Sequence, residues 1–197
     1  MEYNVDEKKI IINKEINKLD KFVFDFVSLL GEKYVIVSGY VSILTGRSRA
    51  TEDVDLLIPE TDFQEFLDLW KRIYAKDFEC LNTENPKNAF DSLKEYAIRF
   101  SRKEKPIPNI EFKMIKNDIE KYSFKNKIKV SINGKEMNIS PIEIQIAFKL
   151  MLGKEGNEKD IEDAKHLYEL FREKINKQEL LNLIKQFKVE KEFELIK

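Results

Sequence analysis

Cysteine and histidine are almost absent from this chain, which has one of each, Cys80 and His166, in 197 residues. A single cysteine excludes an internal disulfide and any cysteine-rich metal centre. A single histidine argues against a histidine-rich zinc site and against a Ser-His-Asp triad. No apolar run is long enough to cross a bilayer, and the first residues are charged rather than signal-like, so the expectation is a soluble, cytoplasmic protein with no membrane partner. An excess of either charge is missing too: 35 Lys+Arg meet 36 Asp+Glu. No global basic field therefore attracts nucleic acid, although a local patch remains open. Internal repeats and low-complexity segments are also lacking. What is present is a 42% hydrophobic content, enough for a sizeable core and too much for disorder.

The most informative stretch is Lys33–Pro59. Tyr34 to Val37 is a short β-branched run between Gly31 and Gly39 and reads as a buried strand. Ser38-Gly39 permits a sharp turn, Tyr40 to Thr45 suits a short helix, and Gly46 closes it. A second strand follows from Asp53 to Ile58, stopped by Pro59. Side chains two apart on a strand share a face, which puts Asp53 and Asp55 together and Val54, Leu56 and Ile58 opposite. Two neighbouring carboxylates repel each other, and a divalent cation between them removes the conflict. The small residue and glycine upstream precede a helix N-terminus, a place suited to phosphate.

A strand ending in Ser38-Gly39, a helix, and Asp53-Val54-Asp55 on the next strand resemble the nucleotidyltransferase superfamily of the polymerase-β type. The lead-in Arg47-Ser48-Arg49-Ala50-Thr51 resembles the sub-group that contains AbiE-type toxins. The resemblance implies an α/β (α+β) fold, a mixed sheet flanked by helices with a small helical C-terminal part. It also implies a third acid on a neighbouring strand to complete a site for two magnesium ions, for which manganese can substitute.

Elsewhere the chain reads as alternating helices and strands. Ile16, Leu19, Phe22, Val23, Phe26, Leu29 and Leu30 recur at helical spacing, with Gly31 as terminator. Phe63, Phe66, Leu67, Trp70 and Ile73 mark another amphipathic helix, capped by Thr61 or Asp62, whose aromatic stripe reads as core. Phe78 to Leu81 suits a strand, Asn82 to Asn88 a surface loop, Tyr96 to Ser101 a strand, and Lys103 to Pro108 a loop broken by two prolines. In Asn109 to Ile115, Ile110, Phe112 and Met114 face one side and Glu111 and Lys113 the other. Glu111 is the candidate third carboxylate. The alternatives are an ordinary strand acid paired with Lys113, or Glu95 in its place. Lys125–Ile132 and Glu136–Ile139 read as a hairpin turned by Asn133-Gly134.

A composition change near Asn138 divides a catalytic part, 1–138, from a helical part, 139–197. Ser140-Pro141-Ile142-Glu143 has the form of an N-cap, a first-turn proline and a capping glutamate, opening a helix that ends at Gly153. Further helices start near Glu158 and Lys177. A Ser-Pro helix carrying Lys149, and Lys159-Asp160-Ile161-Glu162-Asp163 ahead of His166-Leu167, again resemble the AbiE-type group. Asp160 and Asp163 share a helix face and also suit the positive end of a helix dipole.

Together the motifs carry a resemblance that implies transfer of a nucleoside monophosphate from an NTP to a hydroxyl acceptor, with the following roles expected. Asp53, Asp55 and Glu111 are the catalytic and metal-holding set. Ser38, Gly39, Arg47, Arg49, Lys149, Asp160 and Asp163 are the nucleotide-binding set. The resemblance suggests an RNA acceptor such as a tRNA 3′ end, and an antitoxin protein as partner. The alternative is a non-catalytic nucleotide-binding module, or a subunit of a complex, with the same fold.

Overall fold

The computed structural model describes residues 1–197. In chain order the elements are β1 (Glu2–Asn4), β2 (Lys9–Ile12), α1 (Lys18–Val27), β3 (Val35–Ile36), α2 (Gly39–Leu44), β4 (Asp53–Ile58), α3 (Phe63–Tyr74), β5 (Phe78–Cys80) and α4 (Pro86–Leu93). They continue with β6 (Ile98–Arg102), β7 (Lys105–Met114), α5 (Asp118–Lys125), β8 (Ile128–Ile132), β9 (Lys135–Ile139), α6 (Ile142–Lys154), α7 (Glu158–Phe171), α8 (Lys177–Phe187) and α9 (Glu190–Glu194). The strands form one mixed sheet in the order β1-β2-β8-β9-β3-β4-β7-β6-β5. No helix is long and apolar enough to cross a membrane.

Alternation along β4 and β7 decides the layering. Val54, Leu56, Ile110 and Phe112 are fully buried on one face, where α1 and α3 bring Phe26 and Trp70 against Phe100 and Phe112 with ring centroids 5.5–6.1 Å apart. The opposite face carries the charged residues of both strands and is covered in part by α5 and α6. The core is continuous, joining Ile10 and Val23 to Ile142, Leu167 and Ile196 across the change of composition near Asn138.

Three local expectations need correction. Asn82–Asn88 is not all loop: Asn85 accepts from the Lys87 and Asn88 backbone N–H groups and caps α4, with Pro86 at its first position. There the proline's missing N–H is no loss, so the turn signals of Thr83–Asn88 mark a helix start. Lys103–Pro108 is not all loop either, since β7 already begins at Lys105. Residues 105–108 precede the β4 pairing, which starts at Asn109 opposite Asp53, so the prolines interrupt no ladder on that side. Finally, Ser140 does not cap α6: its Oγ accepts from Gln145 Nε2 at 2.6 Å, and Glu143 accepts from the Asn176 N–H. The Asn133-Gly134 turn forms as expected, with φ of 49° and 80°.

Candidate active site

Two features of the backbone assemble the candidate site. The first is the parallel pairing of β4 with β7, which sets Asp53 beside Asn109 and Asp55 beside Glu111. Antiparallel pairing of β6 extends the row by placing Arg99 beside Glu111. Paired residues of adjacent strands share a face, so the alternation read along each strand becomes one polar ladder across three. Lys113, two residues beyond Glu111, lies on the same face and joins both acids: its Nζ is 2.5 Å from Glu111 and 3.1 Å from Asp55. Arg99 holds the other Glu111 oxygen at 2.6 Å. Glu95 lies in the turn after α4, where its carbonyl accepts from Lys116.

Burial raises the Asp55 pKa, Lys113 opposes that, and the charges of Glu111 and Asp53 add to the rise. Burial also works to raise Glu111, but Lys113 and Arg99 outweigh it and hold that carboxyl below its ordinary value. Lys113 is held above its ordinary value because the two acids outweigh its own desolvation. Asp53 is steadied by Thr51, whose Oγ1 donates to its carbonyl at 2.9 Å and lies 3.3 Å from Oδ1. Beside Asp53, Asn109 donates through Nδ2 to the Glu52 and Pro106 carbonyls, and its buried Oδ1 has no donor.

The second feature is the turn into α2. Ser38 has φ 63° and ψ −138°, a conformation that costs a non-glycine residue about 1–3 kcal/mol. Gln145 of α6 holds it there, accepting from the Ser38 N–H at 3.0 Å while donating to Ser140. Arg49 closes over the next residue: a Cβ at Gly39 would stand 3.0 Å from its Nη2, so only glycine fits without displacing the guanidinium.

Arg49 is itself fixed from the helical part. Asp163 of α7 binds Arg49 Nη1 at 2.5 Å and lies 3.6 Å from Arg47 Nε, while Glu162 pairs with the other end of Arg47. Behind them Lys149, with a side chain 2% exposed, is held by Asp160 at 2.5 Å and Asp163 at 3.0 Å. The proposed nucleotide-binding residues thus fall into two groups. Ser38, Gly39, Arg47 and Arg49 stand at the turn and its loop, whereas Lys149, Asp160 and Asp163 form a buried ion cluster behind the arginines.

Between the ladder, the Ser38 turn and helices α5, α6 and α8 lies a cleft of 470 Å³. Its polar end has Ser38, Asp55 and Lys113, and its apolar end Ile144, Phe148 and Phe187. No three His, Cys, Asp or Glu side chains in the molecule form a ready-made metal cage. The ladder's donor set nevertheless fits magnesium, which needs one or two carboxylates and takes its other ligands from water and phosphates. Lys113 already marks a point where two of these acids share one positive charge, and the unpartnered Asn109 Oδ1 supplies a spare oxygen.

Sequence reasoning did not identify Gln145, Arg99 or Asn109 as site residues. The first two come from other elements, and the pairing register that delivers them is not written in local pattern. Lys113 carried a readable signal, its two-residue spacing from Glu111.

Neither a family model nor a curated protein matches the chain. Solved structures do. An antigenic nucleotidyltransferase-like protein from Paracoccidioides brasiliensis is 18% identical, with a TM-score of 0.53 over 88% of this chain and 86% of that one. ANT(2″)-Ia in complex with adenylyl-2″-tobramycin is 12% identical, with a TM-score of 0.57 over 87% of this chain and 98% of that one. The solution structure of the antibiotic-resistance factor ANT(2″)-Ia is 13% identical, with a TM-score of 0.55 over 85% of this chain and 90% of that one. On this similarity the chain has the nucleotidyltransferase fold.

Proposed function

We propose that this protein is a magnesium-dependent nucleotidyltransferase, moving a nucleoside monophosphate from an NTP to a hydroxyl acceptor. The observation that carries the reading is Asp55 in register beside Glu111, one pleat from Asp53, on this fold. The acceptor oxygen bonds to the α-phosphorus, the α–β bridging P–O bond breaks, pyrophosphate leaves, and the hydroxyl proton passes to Glu111. Asp53 and Asp55 would hold magnesium, which would supply charge neutralisation on the phosphates and lower the pKa of the attacking hydroxyl. The backbone at Ser38-Gly39 holds phosphate oxygens, with Arg49 above it. Lys149, Asp160 and Asp163 act from behind by fixing both arginines. The apolar end of the cleft receives the nucleoside and excludes water.

Incubation with each α-labelled NTP, magnesium and, in turn, total RNA, the protein itself and small hydroxyl compounds tests this. Labelling of one acceptor class by the wild type, lost in Asp55→Asn, is the expected result. Adenylyl-2″-tobramycin in ANT(2″)-Ia supports including the small compounds. Transfer to a tRNA 3′ end, and action as a toxin with a protein antitoxin, rest on the AbiE-type resemblance of Arg47–Thr51, Lys149 and Lys159–Asp163.

One observation favours a second reading, a nucleotide-binding module without catalysis. Lys113 pairs with both Asp55 and Glu111 and Arg99 adds a second cation at Glu111, so these two acids are charge-compensated without metal. Tight NTP binding with no labelling of any acceptor supports that reading.

A further inference from the structure

A second cleft opens outside the ladder, and none of the ladder's charged residues lines it. This groove, 560 Å³ in volume, opens at the entry end of β4 and β7, where Thr51 and Pro108 face α1. Its walls carry Lys18, Lys21, Arg102 and Lys105 against a single carboxylate, Asp25. Arg102 is taken up by Asp25 at 2.5 Å, and the nearby Lys14 by Asp20. Lys18, Lys21 and Lys105 remain exposed with no carboxylate partner. In a chain whose formal net charge is −1, three uncompensated lysines around one groove are a local asymmetry.

Thr51 connects this groove to the candidate site, since it lines the groove and also bonds to Asp53. Thr51 stands two residues ahead of Asp53, at the approach to β4. Asp55 lines the cleft already described, and Asp53, two residues before it, is tied to the basic groove through Thr51.

We propose that the groove docks a single-stranded nucleic acid by its phosphodiester backbone, with its terminal hydroxyl directed to the ladder. Charge complementarity points to a polyanion. The groove's composition selects nucleic acid over an acidic protein, because a protein interface needs an apolar, aromatic-rich centre. Here Ile107 is the one strongly exposed apolar side chain, and the ring of Phe22 is buried. Lysines around a groove instead suit backbone contacts that ignore base sequence. The use of the docked strand as acceptor rests on the transferase reading, but docking itself does not.

Binding is therefore measured without NTP or metal. Fluorescein-labelled RNA and DNA strands of about twelve nucleotides are titrated by anisotropy at several salt concentrations, with polyglutamate as the protein-like polyanion. The wild type is expected to bind the oligonucleotides with an affinity that falls steeply with salt. In Lys18→Ala/Lys21→Ala/Lys105→Ala the slope of log affinity against log salt should drop by about 2, with melting temperature unchanged. Single lysine variants should each lower it by a smaller step. Tighter binding of RNA than DNA names the source of the strand. No oligonucleotide binding, a slope unchanged in the triple variant, or preference for polyglutamate would each overturn the proposal. Loss of labelling with docking intact would count against the transferase reading alone.

Discussion

At the residue scale, Lys113 decides how the candidate site behaves without a ligand. It bridges two acids that the strand register forces together. Lys113→Met leaves them facing each other and should lower stability without metal by about 1–3 kcal/mol. Millimolar manganese should restore the variant's melting temperature by more than it raises the wild type's. Equal manganese shifts in both would separate Lys113 from the metal position. Gln145 makes a second case. Gln145→Leu strips the Ser38 N–H of its partner at a strained turn, and denaturant unfolding should show a loss of about 1–3 kcal/mol. Weaker NTP binding should accompany it if the turn has the phosphate-holding role proposed for it, because the turn then relaxes. The Asp53–Asp55 spacing was legible in the sequence because strand period is a local rule. The Gln145 contact was not, because it joins residues 107 positions apart.

At the scale of elements, α6 and its neighbours explain why some signals misled. Ser140-Pro141-Ile142-Glu143 has the form of a capping box, yet Glu143 is 7% exposed and turns instead to the Asn176 backbone. Burial raises its pKa above the ordinary 4.5, with the Asn176 N–H opposing. A raised folded-state value means that this group's contribution is most favourable below 4.5 and is lost as pH rises through the folded value. Glu143→Gln should therefore match the wild type in acid and exceed it in thermal stability at neutral pH. An advantage confined to acid would reverse the sign. The helix expected to end at Gly153 runs one residue further, to Lys154. Gly153 also permits close approach: a Cβ there would collide with the Ile161 side chain and stand 3.2 Å from the Ile161 backbone N. Gly153→Val should cost about 2 kcal/mol through overpacking at the α6–α7 contact, measured by urea unfolding. Loosening that contact also disturbs Lys149 and Asp163, so Arg49 should lose its position over Gly39. The helices and strands with strong periodicity were legible; α4 was missed because its cap and proline also spell a turn.

At the scale of the whole molecule, one nine-stranded sheet and one core make the two halves of the sequence interdependent. The strand end bearing Ser38 is held by α6, and the loop bearing Arg49 is held by α7. Thermal unfolding should accordingly show a single transition in which the ladder and the ion cluster are lost together. Two separated transitions would mean that the helical part is energetically independent. The nucleotidyltransferase fold was legible through a resemblance, carried by Ser38-Gly39, the short helix after them and Asp53-Val54-Asp55 on the next strand. The order of the outer strands was not, since β1 and β2 join the sheet through a parallel pairing with β8 far along the chain. The central claim is that Asp53, Asp55 and Glu111 form a site for metal and nucleotide together. Its most direct test is manganese titration, followed by electron paramagnetic resonance, with and without a non-hydrolysable NTP. The account predicts manganese binding that strengthens with nucleotide and falls by about tenfold or more in Asp53→Asn and Asp55→Asn, with circular dichroism unchanged. Folded variants that bind manganese and nucleotide as the wild type does would contradict it.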